Sequence, residues 1–368
     1  MAIESHPLLQ LCPEWVNVIR EYAPAAEKAG KLQPEQLAVV YQQQWFKMLT
    51  PTEYGGLELS LPDEVRLIEA ISCADGSMGW AVTLCTGAGW FGGFLDPGLS
   101  KEVFADEQVC LAGSGAPGGT ATITPNGYLI KGSWKYASGA LHATHFTANC
   151  IICDNSGPVL TADGKQTIKA FLFNSSEVNV LPSWNYIGMV ATGSHSFEVN
   201  NVQVPPNRLF IINPEFAVLK KPLYLYPFHQ LAEATLAVNL SGLAIHFIDL
   251  CKDVFVEKRR VKNLTIEQSA KLDEVYDASV TLLNDTRKAF YVEVDRSWLG
   301  FINNSTATGD ELNAVSRTSR KLAVIARQVV DELYPYCGLI AASTSSDISR
   351  VWRDLHTASQ HALLTFES

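Results

Sequence analysis

The densest run of reactive side chains is one amphipathic stretch near the end of the chain, Arg350-Val-Trp-Arg353-Asp354-Leu-His356-Thr357-Ala-Ser-Gln-His361. At about 100° per helical residue, Arg350, Arg353, Asp354, Thr357 and His361 fall on one face, with Trp352, Leu355 and Leu363 on the others. Such a face is either a buried polar network beside a ligand or a solvated, salt-bridged stripe. His356 and His361 stand roughly 140° apart around that helix, so they do not make a metal pair.

A second set is Gly132-Ser-Trp134-Lys-Tyr136-Ala-Ser138-Gly139. Strand alternation places Trp134, Tyr136 and Ser138 on one face. Two aromatics beside a hydroxyl could wall a flat heterocycle; a core-facing aromatic strand ended by a turn serine has the same pattern. A third, Gly113-Ser-Gly115-Ala-Pro-Gly118, spells G-x-G-x-x-G. The dinucleotide fingerprint needs a helix directly after it. Here Gly119 leads into strand-like Thr120-Ala-Thr-Ile-Thr, and Pro117 removes a backbone donor, so a Rossmann site is excluded. The glycines could still let backbone approach a ligand closely. No G-x-S-x-G, H-E-x-x-H or G-x-x-x-x-G-K-[ST] string occurs, which leaves hydrolase, zinc protease and P-loop readings without support. Cys150 and Cys153 would diverge to opposite strand faces, against a redox or zinc role, and no metal is expected.

Three textures must position these groups. Residues 1–108 read as an all-α domain, with helical runs over Gln33–Phe46 and Leu61–Thr86 around a Pro51-Thr-Glu-Tyr54-Gly-Gly56 loop. Residues 109–215 read as a β domain of six or so short strands, a small barrel or sandwich. Pro125-Asn126-Gly127 marks a hairpin there, and His195-Ser-Phe-Glu-Val-Asn-Asn-Val-Gln-Val looks like another. Residues 216–368 read as a four-helix bundle, with helices over about 229–260, 267–299, a third carrying Leu322, Ile325, Ala326, Val329, Val330 and Leu333, and 348–364. The class is α+β and multidomain.

With 28 Lys and Arg against 38 Asp and Glu, the 368-residue chain carries a net charge of −10. Nothing in that balance attracts nucleic acid or an anionic membrane. No apolar stretch approaches the roughly 18 residues that a membrane span needs. The N-terminus lacks a signal-like pattern, and eight scattered cysteines fit reduced thiols in a cytoplasmic protein.

Taken in order, these motifs resemble the acyl-CoA dehydrogenase superfamily over nearly the whole chain. Tyr54-Gly55-Gly56 resembles its early Tyr-Gly-Gly loop, and Asp75-Gly-Ser77-Met-Gly79-Trp80 its D-x-S-x-G-W segment. Trp134–Gly139 resembles the strand whose hydroxyl meets the flavin N5/O4 edge, which would make Ser138 that contact and put Tyr136 in place of the flavin-side tryptophan. Gly188-Met189-Val-Ala-Thr192-Gly193-Ser194 resembles the G-M-R-G-T-G-S turn. Glu257-Lys258-Arg259-Arg260 loosely resembles a segment whose arginine touches the FAD diphosphate of a neighbouring subunit. The resemblance implies a flavin, FAD or FMN, held by Trp134, Tyr136, Ser138, Gly139, Thr192, Ser194, Lys258, Gly338 and Arg353, with a substrate pocket at Tyr54, Ala88 and Trp90.

The departures select the subclass. The glutamate base of a dehydrogenase would fall at Ala362, which cannot accept a proton. Arg353-Asp354-Leu-His-Thr-Ala-Ser-Gln-His361 instead resembles the two-component flavin monooxygenases of this fold, whose histidine near the flavin C4a matches His361. Their second histidine would fall at Ala88, so the usual acid–base pair is incomplete. The implied function is a monooxygenase that uses reduced flavin from a separate reductase, and O₂, to oxygenate an aromatic or polycyclic small molecule through a C4a-hydroperoxide. Ser138 and His361 would be its catalytic residues, and the assembly a homotetramer or homodimer. The alternatives are an acyl-CoA dehydrogenase or oxidase with a displaced base, such as Glu233 or Glu257, and a non-catalytic flavin or acyl-ligand binder.

Overall fold

Prolines at first-turn positions start several helices, where the missing N–H is not needed and the fixed φ suits a helix. The computed structural model describes residues 1–304 and 306–366. Its first segment contains α1 (Pro13–Ala29), α2 (Pro34–Gln42), α3 (Leu61–Ala74), α4 (Gly76–Gly89) and α5 (Pro97–Phe104). Asp75 separates α3 from α4 with an extended backbone, and its carboxylate accepts the Met78 N–H. The long Leu61–Thr86 run is therefore two helices, the second capped by that aspartate.

Eight strands follow: β1 (Leu111–Thr124), β2 (Gly127–Ala137), β3 (His145–Asp154), β4 (Gly157–Pro158), β5 (Ile168–Asn174), β6 (Asn179–Leu181), β7 (His195–Val204) and β8 (Leu209–Phe210). They form one sheet in the order β6-β7-β2-β1-β3-β5-β8, with β4 on β3. Rings on strands that are not neighbours touch, Phe146 with Phe197 at 4.9 Å and Tyr128 with Phe171 at 5.1 Å. The sheet therefore curls around its own apolar core. The β1–β2 hairpin forms as the Asn-Gly signal predicts, with Thr124 opposite Gly127. The hairpin expected over 195–204 does not. β7 runs unbroken along β2 and bulges between Val199 and Val202, where Asn201 takes a φ of 53°. Asparagine tolerates that conformation, so the pair bulges instead of turning.

The last segment contains α6 (Pro222–Leu225), α7 (Phe228–Val261), α8 (Ile266–Asn304), α9 (Gly309–Cys337), α10 (Leu339–Ala342), α11 (Asp347–Ala358) and α12 (Ala362–Thr365). Helix α7 packs against α9, α8 and α11, and also against α3 and α4, so the first and last segments share one core. Small residues allow the approach: a Cβ on Gly76 would lie 2.2 Å from Leu243, and one on Gly242 2.5 Å from the Glu69 carbonyl. By length and composition α7 could cross a bilayer, which corrects the reading of its apolar run, interrupted as it is by Asn239 and Ser241. Its most apolar window is 89% buried inside the protein, which accounts for that hydropathy.

The sheet is fastened to the bundle through the Gly188-Met189 turn. A Cβ on Gly188 would lie 2.0 Å from the Arg353 carbonyl oxygen, so the turn lies directly on α11. Met189, at φ 54°, donates its N–H to the Asp354 carboxylate, and Ser77 on α4 donates to the other oxygen at 3.3 Å. Arg350 bonds Asp347 at 2.8 Å and faces Asp75, 4.0 Å away. The D-x-S and R-x-x-R-D motifs are thus two halves of one buried network. Burial first, and then the negative charge of Asp75, push the Asp354 carboxyl up to about 7, against the Met189 N–H and Arg350.

A carboxyl raised in this way holds its proton more tightly folded than unfolded. Its contribution to stability is complete below about pH 3.9 and is lost as the pH rises through about 7. Asp354→Asn keeps an acceptor for the Met189 N–H and cannot ionise, so its thermal stability should gain on the wild type above pH 7. Asp354→Ala orphans that N–H and should cost about 1–3 kcal/mol at pH 5. Thermal denaturation from pH 4 to 8 checks both, and parallel wild-type and Asp354→Asn profiles would contradict the assignment.

Candidate active site

Trp134, Tyr136 and Ser138 do not share a face, contrary to the strand alternation. A bulge between Trp134 and Ala137 breaks it, and Tyr136 takes a φ of 66° there. Trp134 points into the sheet's core, stacked on Phe197 at 5.2 Å, and its indole N–H donates to the Asn149 carbonyl at 2.9 Å. Cβ atoms on Gly118, Gly119 and Gly132 would lie 2.6, 2.5 and 2.7 Å from that indole. The last glycine of the G-x-G-x-x-G string, with its neighbour, therefore makes room for a tryptophan. Tyr136 turns outward, 59% exposed, beside Trp184 and Tyr186. Ser138, past the end of β2, turns back inward and is buried.

Ser138 reaches a cavity of about 440 Å³ between α4, the sheet and α7, a volume in the usual range for a small-molecule site. Gly87 and Ala88 of α4 form one wall, with Gly113, Ser114 and Gly115 of β1 on another. Phe91, Phe210 and Phe228 come from three separate segments, Phe91 lying 5.2 Å from Phe210 and 5.8 Å from Phe228. A Cβ added to Gly87 or Gly115 would meet no atom within 4 Å, so these glycines leave space the protein does not fill.

His361 and Leu363 complete the lining. Helix α11 stops at Ala358, so His361 is not on its polar face; the chain turns at Ser359-Gln360 and His361 caps the short α12. Its Nδ1 accepts the Leu363 N–H at 3.3 Å and its ring meets Trp80 edge-on at 5.9 Å. That bond leaves Nε2 to carry the ring proton. Burial alone lowers its pKa below the ordinary histidine value. Among the described residues, His361 is the only titratable group lining the cavity. Glu233 is bound to Arg320 and Ser316, and Glu257 pairs with Arg260 at the surface, so neither carboxylate faces it.

The remaining predicted contacts, Ala88 apart, stand behind or away from the cavity. Thr192 and Ser194 form a hydroxyl chain behind Ser138, and Gly139 donates its N–H to the Thr192 carbonyl at 2.8 Å. Tyr54 is buried against Phe104, and Trp90 backs Phe228 while donating to the Leu223 carbonyl at 2.9 Å. Ala88 does line the cavity, whereas a Cβ on Gly92 or Gly93 would strike Phe104 or Tyr224. Arg353 pairs with Glu27 and donates to the Ile187 carbonyl. Lys258 donates to the Tyr336 carbonyl at 2.6 Å, two residues before Gly338, at the far end of α7 and α9. Sequence reading missed Phe91, Phe210, Phe228, Asn149 and Thr235. Nothing in their local spacing connects them.

Residues 15–92 match the N-terminal domain of the acyl-CoA dehydrogenases, and residues 235–366 match the C-terminal domain. A pigment production hydroxylase of Rhodococcus sp. is 30% identical over 87% of this chain and 83% of its own. The oxygenase subunit HsaA of a flavin-dependent monooxygenase of Mycobacterium tuberculosis is 26% identical over 94% of this chain and 88% of its own. The crystal structure of 3-HSA hydroxylase from Rhodococcus sp. RHA1 superposes with a TM-score of 0.87 at 20% identity, covering 98% of this chain and 94% of that one.

A histidine lowered by burial contributes stability that is present above its ordinary value of about 6.5 and lost as the pH falls through the lower folded value. An NMR titration of the His361 ring should therefore give a midpoint below 6.5, with Nε2 protonated at pH 7. A midpoint at or above 6.5 would overturn the lowering by burial, and a ring protonated at both nitrogens at pH 7 would overturn the neutral donor.

Proposed function

The chain belongs to the acyl-CoA dehydrogenase family and is a flavin-dependent oxidoreductase, and we propose that it is the oxygenase component of a two-component monooxygenase acting on an aromatic or polycyclic small molecule. One observation carries this reading over dehydrogenation: among the described residues, the cavity is lined by one neutral histidine and by no carboxylate. A thioester dehydrogenase must abstract a carbon-bound proton and needs a free acceptor there, and the one lone pair of the neutral His361 ring, on Nδ1, is already taken by the Leu363 N–H. An oxygenase needs a dry pocket, a hydrogen-bond donor and room for a flat substrate.

The residues fit a flavin. Backbone at Gly113–Gly115 and the Ser138 hydroxyl offer polar contacts along one wall, and Gly87 and Gly115 leave the volume open. Reduced FAD or FMN, supplied by a separate flavin reductase, brings the electrons that activate O₂. Ser138 holds the ring edge. His361 presents its Nε2 proton to the cavity and orients the reacting oxygen and the substrate. Phe91, Phe210 and Phe228 exclude water. With Ala88 where a second histidine would stand, His361 carries the proton alone. Tyr54 and Trp90 shape the pocket from behind, through Phe104 and Phe228. The proposal includes a cytoplasmic homotetramer or homodimer, in which exposed Val256, Val261 and Leu339, near Lys258 and Gly338, would meet a second copy.

Mixing the anaerobic protein–reduced-flavin complex with O₂ and a panel of phenols and indoles should yield oxygenated product. His361→Ala should lower product at least about tenfold and leave flavin affinity nearly intact. Equal turnover would remove His361 from the chemistry. Gly87→Leu should fill the cavity, abolish ligand binding and keep the melting temperature; full activity in that variant would place the site elsewhere.

A further inference from the structure

Three buried hydroxyls stand in line behind the cavity wall. Thr192 Oγ1 lies 2.7 Å from the Met189 carbonyl oxygen, Ser194 Oγ lies 2.7 Å from Thr192 Oγ1, and Ser138 Oγ lies 2.8 Å from Ser194 Oγ. Each of the three side chains is more than nine-tenths buried, and only Ser138 reaches the cavity. The chain is held at both ends of the turn. Met189 is fixed through its N–H by Asp354 and through its carbonyl by the Trp184 indole N–H at 2.8 Å. The Gly139 N–H on the Thr192 carbonyl keeps the Ser138 backbone in place.

Proton counting then sets a direction. A carbonyl only accepts, so the first gap takes the Thr192 proton. Thr192 then has only lone pairs to offer, so the second gap takes the Ser194 proton. The third gap takes the Ser138 proton by the same step. Any other arrangement leaves two oxygens at hydrogen-bond distance with no proton between them. Ser138 consequently meets the cavity with lone pairs.

We propose that Ser194 and Thr192 are positioning residues that turn the Ser138 proton away from the cavity, so that the site prefers a ring N–H to a bare ring nitrogen and therefore reduced flavin to oxidised flavin. The inference rests on the flavin reading given above. Reduced flavin carries a hydrogen on N5, which Ser138 can accept; oxidised flavin presents a lone pair there, which Ser138 repels. The preference suits a protein that receives its flavin already reduced and must release it oxidised.

The test is the ratio of dissociation constants for oxidised and dithionite-reduced flavin, measured anaerobically with FMN and with FAD. The wild type should favour the reduced form. Ser194→Ala frees the Ser138 proton to turn into the cavity, and the ratio should fall at least about threefold. Thr192→Val breaks the chain one step earlier and should act in the same direction, which covers failure of either variant to fold. Ser194→Thr keeps the hydroxyl and should hold the ratio within about twofold. The midpoint potential of bound flavin should drop in the two hydroxyl-less variants, a change that loosened packing alone does not dictate. A wild type that binds neither flavin would bring down the flavin reading itself. Tight flavin binding with the same ratio in wild type, Ser194→Ala and Thr192→Val would overturn this inference alone.

Discussion

The buried contact between Asp354 and the Gly188-Met189 turn is the constraint on which the rest of the site depends. It joins α11 to the sheet at a place where neither side could be satisfied alone. The Met189 N–H would be an orphaned donor without the carboxylate. The carboxylate, buried beside Asp75, would be costly without the N–H, Ser77 and Arg350. The lack of a side chain on Gly188 decides how closely the two approach. From that point the hydroxyl chain runs to Ser138, so the register of the bundle against the sheet is passed to the cavity wall through four short hydrogen bonds.

The cavity is chemically sparse. Its walls are aromatic rings, small residues and a few hydroxyls, with one histidine whose ring is kept neutral by burial and held by a backbone N–H. A low dielectric strengthens whatever polar contact a ligand makes there and excludes water that would compete for it. The carboxylates that could have served a dehydrogenase are used elsewhere in ion pairs, Glu233 with Arg320 between α7 and α9 and, at the surface, Glu257 with Arg260. A buried acid already paired is not available as a base.

Much of the architecture was legible locally. Asn126-Gly127 announced its hairpin and the apolar stripe of α9 its helix, because backbone geometry and burial period are local properties. Local reading failed where one residue changed the period. Tyr136, in a left-handed conformation, reversed the faces of its strand, and the turn at Ser359-Gln360 carried His361 off the helix on which spacing had placed it. Asn200-Asn201 read as a turn and became a bulge, because β2 continued to pair on both sides.

The sequence by itself determined the order of helical, sheet and bundle segments, the family motifs and the loss of a glutamate at Ala362, all of which follow from residue identity and short-range spacing. Tertiary structure decided which of the candidate residues meet. It brought Ser138 and His361, more than two hundred positions apart, to one cavity, and set Trp134 on the Asn149 carbonyl, Arg353 against Glu27 and Lys258 on the Tyr336 carbonyl. It also recruited three phenylalanines from three segments. That selection depends on which surfaces cover each other and on which donors find acceptors across the core, and such long-range pairing leaves no periodic trace in the chain.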